Sequence, residues 1–275
     1  MIAPFFYSGE CAGYSHSAEM PITEANMTSS KRFFSTLLFF LTAYLCNAPA
    51  EATLIILKVT AEEVWVAADS KANITTSGKT SFGEAQKIFE LDNSCVFAAS
   101  GLASYENGTV MATDFARRKD TTTKISPDER AHEYARVFSA RLKAILEDIR
   151  MRAPKEFFTF FLDKVAVSAM FADYDTKPRT SVVQLLCHET SKGELVIEVK
   201  YVPQPTAFPA MQFFGETNGA LAAVVEGGSA FGKADTETQF QKMFDRQAKE
   251  TPLWVGPPYL MLSVDANGVH WKHKP

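Results

Sequence analysis

Thr53 opens a run of β-forming residues, Thr53-Leu-Ile-Ile-Leu-Lys-Val-Thr60, and directly follows Ala50-Glu-Ala52. Small residues in A-x-A spacing behind an apolar stretch are what signal peptidase cuts, so cleavage after Ala52 would leave a threonine as the first residue. A threonine hydroxyl is a weak nucleophile until a base removes its proton, and a terminal threonine carries its own base. The free α-amine has a pKa of about 7.7–8.0, close to working pH, whereas an amide nitrogen has no useful basicity. Cleavage at this bond would therefore create an acylating group and not merely trim the chain. A second point satisfies the same small-residue rule: Ala48-Pro-Ala50 would release Glu51.

Other chemistries leave little trace. The five histidines, at 16, 132, 188, 270 and 273, are scattered, and no Cys/His spacing of the zinc type occurs. Neither a Gly-x-Ser-x-Gly elbow nor a phosphate loop is present. The sequence therefore gives no reason to expect a metal or a cofactor. The net charge of −4 lacks the basic surplus of a nucleic-acid binder. With 46% hydrophobic and 22% charged residues, the 275-residue chain is neither collagen-like, low-complexity nor disordered. Four cysteines are too few for a disulfide scaffold at this length. Cys95 and Cys187 follow residue 52, and export would permit a bridge between them without requiring one.

The stretch ahead of Thr53 reads as an address. Met27-Thr-Ser-Ser-Lys31-Arg32 is basic, the run from Phe33 to Cys46 is apolar and uncharged, and small residues follow. That order is the secretory signal pattern. The run is shorter than the roughly 18 residues a membrane-spanning helix needs. The expected organisation is an N-terminal extension plus signal peptide over 1–52, with translation starting at Met27, and a single domain over 53–275. The product would be exported, periplasmic or secreted, with no stable membrane span once the signal is removed. An uncleaved signal that tethers the chain and leaves Thr53 an ordinary residue is the competing possibility.

Several elements must position Thr53. Val64-Trp-Val-Ala-Ala68 is the expected hairpin partner of the first strand. Asn73 to Gln86, polar with Gly and Thr, reads as a loop. Lys87–Leu91 and Cys95–Ala99 form a second strand pair, and Leu102 to Lys119 reads as helical. A stronger helix starts at Ser126-Pro127-Asp128-Glu129, with a capping Ser, Pro at the first helical position and Glu three residues after the cap. Tyr134, Val137, Phe138, Leu142, Ile145 and Ile149 then line one face. Strands are expected at Lys164–Ala172, Ser181–Cys187, Glu194–Lys200 and Met211–Gly215, and helices at Gly219–Gly227 and Asp235–Lys249. A last hairpin, Tyr259–Val264 and Val269–Lys272, turns at Asp265-Ala-Asn-Gly268. This order points to an α+β fold with antiparallel sheets covered by helices.

From Thr53 to Gly101 the chain resembles the proteasome β-subunit group of N-terminal-nucleophile hydrolases. The matching features are Thr53 opening a strand, Val-Ala-Ala-Asp69-Ser-Lys on the second strand, Lys87-Ile-Phe-Glu-Leu opening the third, and Ala-Ala-Ser-Gly101 ending the fourth. Asp69 follows Thr53 at the family's spacing, and Lys87 falls two positions later than usual, an insertion that the intervening loop absorbs. The resemblance favours release of Thr53 over Glu51. It implies a four-layer αββα sandwich, two antiparallel sheets flanked by helices, and hydrolysis of peptide or other amide bonds through an acyl-enzyme on Thr53. By the same resemblance Lys87 lowers the proton affinity of the hydroxyl and amine, Asp69 holds Lys87 charged and aimed, and the Gly101 N–H donates to the oxyanion. The substrate pocket would fall at Ala72, Phe89, Ala99 and Ala103, plain sheet–helix packing being the alternative for these positions. Related subunits stack into rings, so a homo-oligomeric ring is the implied assembly.

The departures are equally specific. The family has Gly before the nucleophile, where this chain has Ala52. Its supporting Asp and Ser near the last helix correspond here to Glu250-Thr-Pro-Leu-Trp254-Val-Gly-Pro-Pro, which contains neither. A further supporting Ser is displaced by Glu216 in Phe214-Gly215-Glu216-Thr217. The runner-up reading is thus a non-catalytic binding or assembly module that keeps the sandwich without its chemistry.

Overall fold

The computed structural model describes residues 53–76, 79–92, 94–105, 110–117, 125–205 and 207–274; the expected extension, signal and cleavage site lie outside the described residues. Strands β1 (Leu54–Val59) and β2 (Val64–Asp69) form the expected hairpin. Next come β3 (Lys71–Thr76) and β4 (Lys79–Glu84), paired with each other alone in a two-stranded sheet. This corrects the loop expected over Asn73–Gln86. Only Ala72, Ile74 and Phe82 of its twelve residues are apolar apart from Gly83, too few for the strand period to stand out from a polar loop. Strands β5 (Ile88–Asp92) and β6 (Cys95–Gly101) pair as expected.

Among the described residues of the helix expected from Leu102 to Lys119, only Ala112–Ala116 is helical. Two short strands, β7 (Ser104–Tyr105) and β8 (Val110–Met111), precede a five-residue helix α1 (Ala112–Ala116). Helix α2 (Pro127–Arg152) begins with the full capping box: the Ser126 hydroxyl accepts from the Glu129 N–H, and the Glu129 carboxylate accepts from the Ser126 N–H at 2.8 Å. A short helix that the periodicity does not reveal, α3 (Pro154–Phe160), follows at once. Strands β9 (Lys164–Tyr174), β10 (Pro178–Glu189), β11 (Leu195–Val202) and β12 (Ala210–Gly215) lead to α4 (Asn218–Lys233), which breaks at Gly228 (φ 46°). Helix α5 (Thr236–Glu250) is capped by the Asp235 carboxylate, and β13 (Tyr259–Asp265) with β14 (Gly268–His273) closes the chain.

The strands make two five-stranded antiparallel sheets, ordered β12-β1-β2-β13-β14 and β11-β10-β9-β6-β5. Alternation along each strand then builds three apolar layers. Ile55, Leu57, Val66 and Leu262 of the first sheet meet Ile88, Val96, Ala98 and Met170 of the second. Their neighbours face outward: Leu54, Ile56 and Ala67 pack on Ala220, Phe240 and Phe244 of α4 and α5. On the other side, Phe97, Ala99 and Phe171 pack on Tyr134, Phe138 and Leu142 of α2. Full burial of a large apolar side chain contributes about 1.5–3 kcal/mol, and each layer contains many. Helices therefore cover the outer face of each sheet, and the two sheets cover one another.

Cys95 and Cys187 are both buried and free. Cys95 pairs across β6–β9 with Asp173, which pairs in turn with Arg179, and Cys187 lies eight residues beyond Arg179 on β10. At a strand rise of about 3.4 Å per residue that is a separation of roughly 27 Å, far beyond disulfide reach. Among the described residues no helix is long and apolar enough to cross a membrane.

Candidate active site

Asp69 ends β2 beside the first residues of β1 and is fully buried. Its Oδ1 accepts the Leu54 N–H at 2.8 Å. Its Oδ2 accepts the Lys71 N–H at 3.1 Å and the Lys87 ammonium at 3.0 Å. The Lys87 ammonium, on a side chain only 8% exposed, also donates to the Lys71 carbonyl at 2.5 Å. Burial pushes the Asp69 carboxyl up from its ordinary value; the Lys87 charge and the Leu54 and Lys71 N–H groups oppose that rise. A dry carboxylate persists only with such a set of donors.

Lys87 belongs to the second sheet. Its carbonyl accepts the Ala99 N–H at 3.4 Å, which ties it to β6. Main-chain groups alternate along a strand, so the Gly101 N–H, two residues on, points to this same edge beyond the start of β5 at Ile88. Gly101 has φ +87°, and a Cβ there would sit 2.2 Å from the Ala166 carbonyl oxygen. The Leu102 N–H binds that carbonyl at 2.8 Å, and the Ala103 N–H turns back to the Gly101 carbonyl at 2.7 Å. A tight turn thus leaves a backbone donor facing the Lys87 side of the sheet.

Thr53 precedes β1 and is 5% exposed. It continues the face on which Ile55 and Leu57 enter the core between the sheets. Its carbonyl accepts the Glu216 N–H at 3.0 Å, and Gly215 (φ +87°) presses against it so closely that a Cβ would lie 1.6 Å from the Thr53 oxygen. The four expected residues therefore gather at one end of the two sheets. Thr53 and Asp69 come from one sheet, Lys87 and Gly101 from the other.

The stretch from Thr251 to Pro258 reaches the same place with main-chain atoms. The Lys71 ammonium donates to the Pro252 carbonyl, and the Ser70 N–H to the Pro258 carbonyl at 3.0 Å. Gly256 lies against the Lys71 side chain. The Thr251 hydroxyl is engaged with Gln247 at the end of α5, donating to its carbonyl at 3.2 Å and accepting from its Nε2 at 3.0 Å. Trp254 is half-buried, its N–H on the Thr251 carbonyl at 2.9 Å. These supports escape sequence reasoning because carbonyls and N–H groups belong to every residue type. Residue type does give a signal at Ser70 and Ser100, two buried hydroxyls beside Asp69 and Gly101 that have no hydrogen-bond partner among the described residues.

Of the positions expected to line a pocket, Ala72 lies on β3 opposite Gly83, with its side chain outside the described residues. Ala99 belongs to the helix-side core, and Phe89 and Ala103 pack against it, the Phe89 ring 6.5 Å from that of Phe97. All three therefore take part in sheet–helix packing, the alternative expected for these positions. Among the described residues no group of three or more His, Cys, Asp or Glu is arranged to hold a metal ion. Compared with known proteins, the chain matches no family model and no curated protein.

Proposed function

We propose that the chain is an exported N-terminal-threonine hydrolase of the proteasome β-subunit type, cutting peptide or other amide bonds through an acyl-enzyme on Thr53. The observation that carries this reading is the buried Asp69–Lys87 pair, bonded to the N–H of the residue next to Thr53. A structural ion pair has no need to sit beside a potential nucleophile, and perturbed buried pairs concentrate at reactive sites.

The chemistry follows from the parts. Cleavage after Ala52 frees the Thr53 α-amine, which takes the hydroxyl proton as Oγ attacks the substrate carbonyl. The fixed charge of Lys87 makes the alkoxide and the neutral amine easier to form, and Asp69 keeps that charge in place. The Gly101 N–H stabilises the oxyanion; loss of one such donor typically costs about 10²–10³ in rate. The protonated amine then delivers its proton to the leaving nitrogen, the ester forms on Oγ, and water activated by the same amine releases the acid.

N-terminal sequencing of the exported protein tests the first step. Thr53 is the expected terminus; Glu51, or an intact precursor, defeats the reading. Thr53→Ala, assayed against peptide and acyl-amide panels, is expected to lose hydrolysis to background, and unchanged hydrolysis rejects the nucleophile. The reading of a binding or assembly module draws on the Thr251 hydroxyl, which is committed to Gln247, and on the lack of an Asp or Ser around Trp254. It calls for a Thr53 terminus without turnover on any panel.

A further inference from the structure

Residue 216 is where the chain departs from the pattern it resembles, and its surroundings are well defined. The β1–β12 register pairs Leu54 with Gly215 and Ile55 with Phe214, which sets Thr53 opposite Glu216. The 3.0 Å bond from the Glu216 N–H to the Thr53 carbonyl joins the two directly. A main-chain bond of this kind sets the two Cα atoms about 5–6 Å apart, within reach of a glutamate side chain. The tight contact of Gly215 with the Thr53 backbone allows little change in that spacing.

The Glu216 carboxyl is half-buried, yet it has no side-chain hydrogen bond and no ion pair among the described residues. Burial pushes it up from the ordinary glutamate value, and no charged neighbour contributes. The charged groups of the surrounding elements have partners of their own. Asp69 and Lys87 hold each other, Lys71 reaches the Pro252 carbonyl, and Glu226 of α4 pairs with Arg246 of α5, which also meets Glu250. A half-buried carboxyl that lacks a cation costs stability, and a glutamine would avoid that cost. Thr53 is the adjoining residue at which processing would create one.

We infer that Glu216 is the counter-charge for the α-ammonium group freed by cleavage between Ala52 and Thr53, and that this pair sets the pH at which the nitrogen becomes a base. The inference rests on the proposed function and adds regulation to it. A carboxylate beside an ammonium group holds the proton on nitrogen, so the amine turns basic only at higher pH than an unassisted terminus. The neutral form, which accepts the hydroxyl proton, is then scarce near neutrality and abundant under alkaline conditions.

The test uses the full chain, expressed with export and labelled with ¹⁵N-threonine. Its terminus is sequenced, and the protonation of the terminal nitrogen is followed by NMR against pH. Glu216→Gln is expected to deprotonate at a pH about one lower than the unmodified protein, giving about tenfold more neutral amine at pH 7. The acid limb of the hydrolysis profile should move by the same amount, and Glu216→Asp should stay near the original. Glu216→Ser provides a second neutral variant should the Gln protein fail to fold. A Thr53 terminus whose titration is the same in all variants overturns the ion pair and leaves the nucleophile standing. A terminus elsewhere overturns both.

Discussion

Lys87 and Asp69 are both buried, and each is held by groups of fixed geometry, so neither tolerates loss of the other. Lys87→Met would strand a buried carboxylate with only two backbone N–H donors. Removing one member of such a pair costs about 3–5 kcal/mol, which would appear as a lower midpoint in urea denaturation. Asp69→Asn keeps an acceptor for the Leu54 N–H but removes the carboxylate charge from the Lys87 ammonium, and should also destabilise. Asp69, Lys87 and Gly101 were singled out in the sequence through the resemblance to the proteasome β-subunit group, and the fold brings Asp69 and Lys87 into contact. The atoms that fix them were not legible there. Leu54 and Lys71 act through the main chain, and their selection depends on which backbone groups the ladder leaves over.

At the scale of elements, α4 connects to the site through a side chain of α5. Thr217 offers α4 no side-chain cap; instead the Gln247 carbonyl oxygen accepts the N–H groups of Gly219 at 2.7 Å and Ala220 at 3.1 Å. Gly219 is required there, since a Cβ would lie 2.6 Å from the Gln247 Cα. Gln247 is fully buried, so Gln247→Ala leaves two dry donors and should cost about 1–3 kcal/mol in a thermal or chemical melt. Because Thr217 and Glu216 immediately precede α4, that variant should also loosen the bond to the Thr53 carbonyl, detectable as faster amide exchange at Glu216. Elements with strong periodicity or punctuation were readable: α2 from its capping box, and the last hairpin from Asp265-Ala-Asn-Gly268. The β3–β4 ribbon was not, because too few of its residues are apolar. Leu102 to Lys119 misled because local propensity there yields to the turn at Gly101, and α3 is too short for a period of 3.6 residues to declare itself.

For the molecule as a whole, the layered arrangement keeps both cysteines apart and out of reach. Burial pushes the Cys95 thiol up to about 12 and the Cys187 thiol up to about 11. A raised value means the unreactive thiol form prevails at pH 8, so neither should react with iodoacetamide until the protein unfolds. Peptide mass spectrometry should then find Cys95 and Cys187 both alkylated in denaturant without any reductant; a disulfide-linked pair of peptides carrying them would contradict the register separating them. The layers themselves were anticipated from the order of strands and helices; which residues face the helices and which the other sheet was not legible, because Leu54-Ile-Ile-Leu57 and Cys95-Val-Phe-Ala-Ala99 are apolar throughout. In the proposed hydrolase two of the working residues hang from one slab and two from the other. They are kept aligned by greasy contact between the slabs and by the Lys87–Asp69 and Trp271–Glu90 bonds that cross the seam. For the acyl transfer proposed here, a slip of a single ångström along that seam is expected to stop turnover while every strand stays intact, so cavities carved far from Thr53, at Met170 or Val96, should lower kcat long before they lower the melting midpoint.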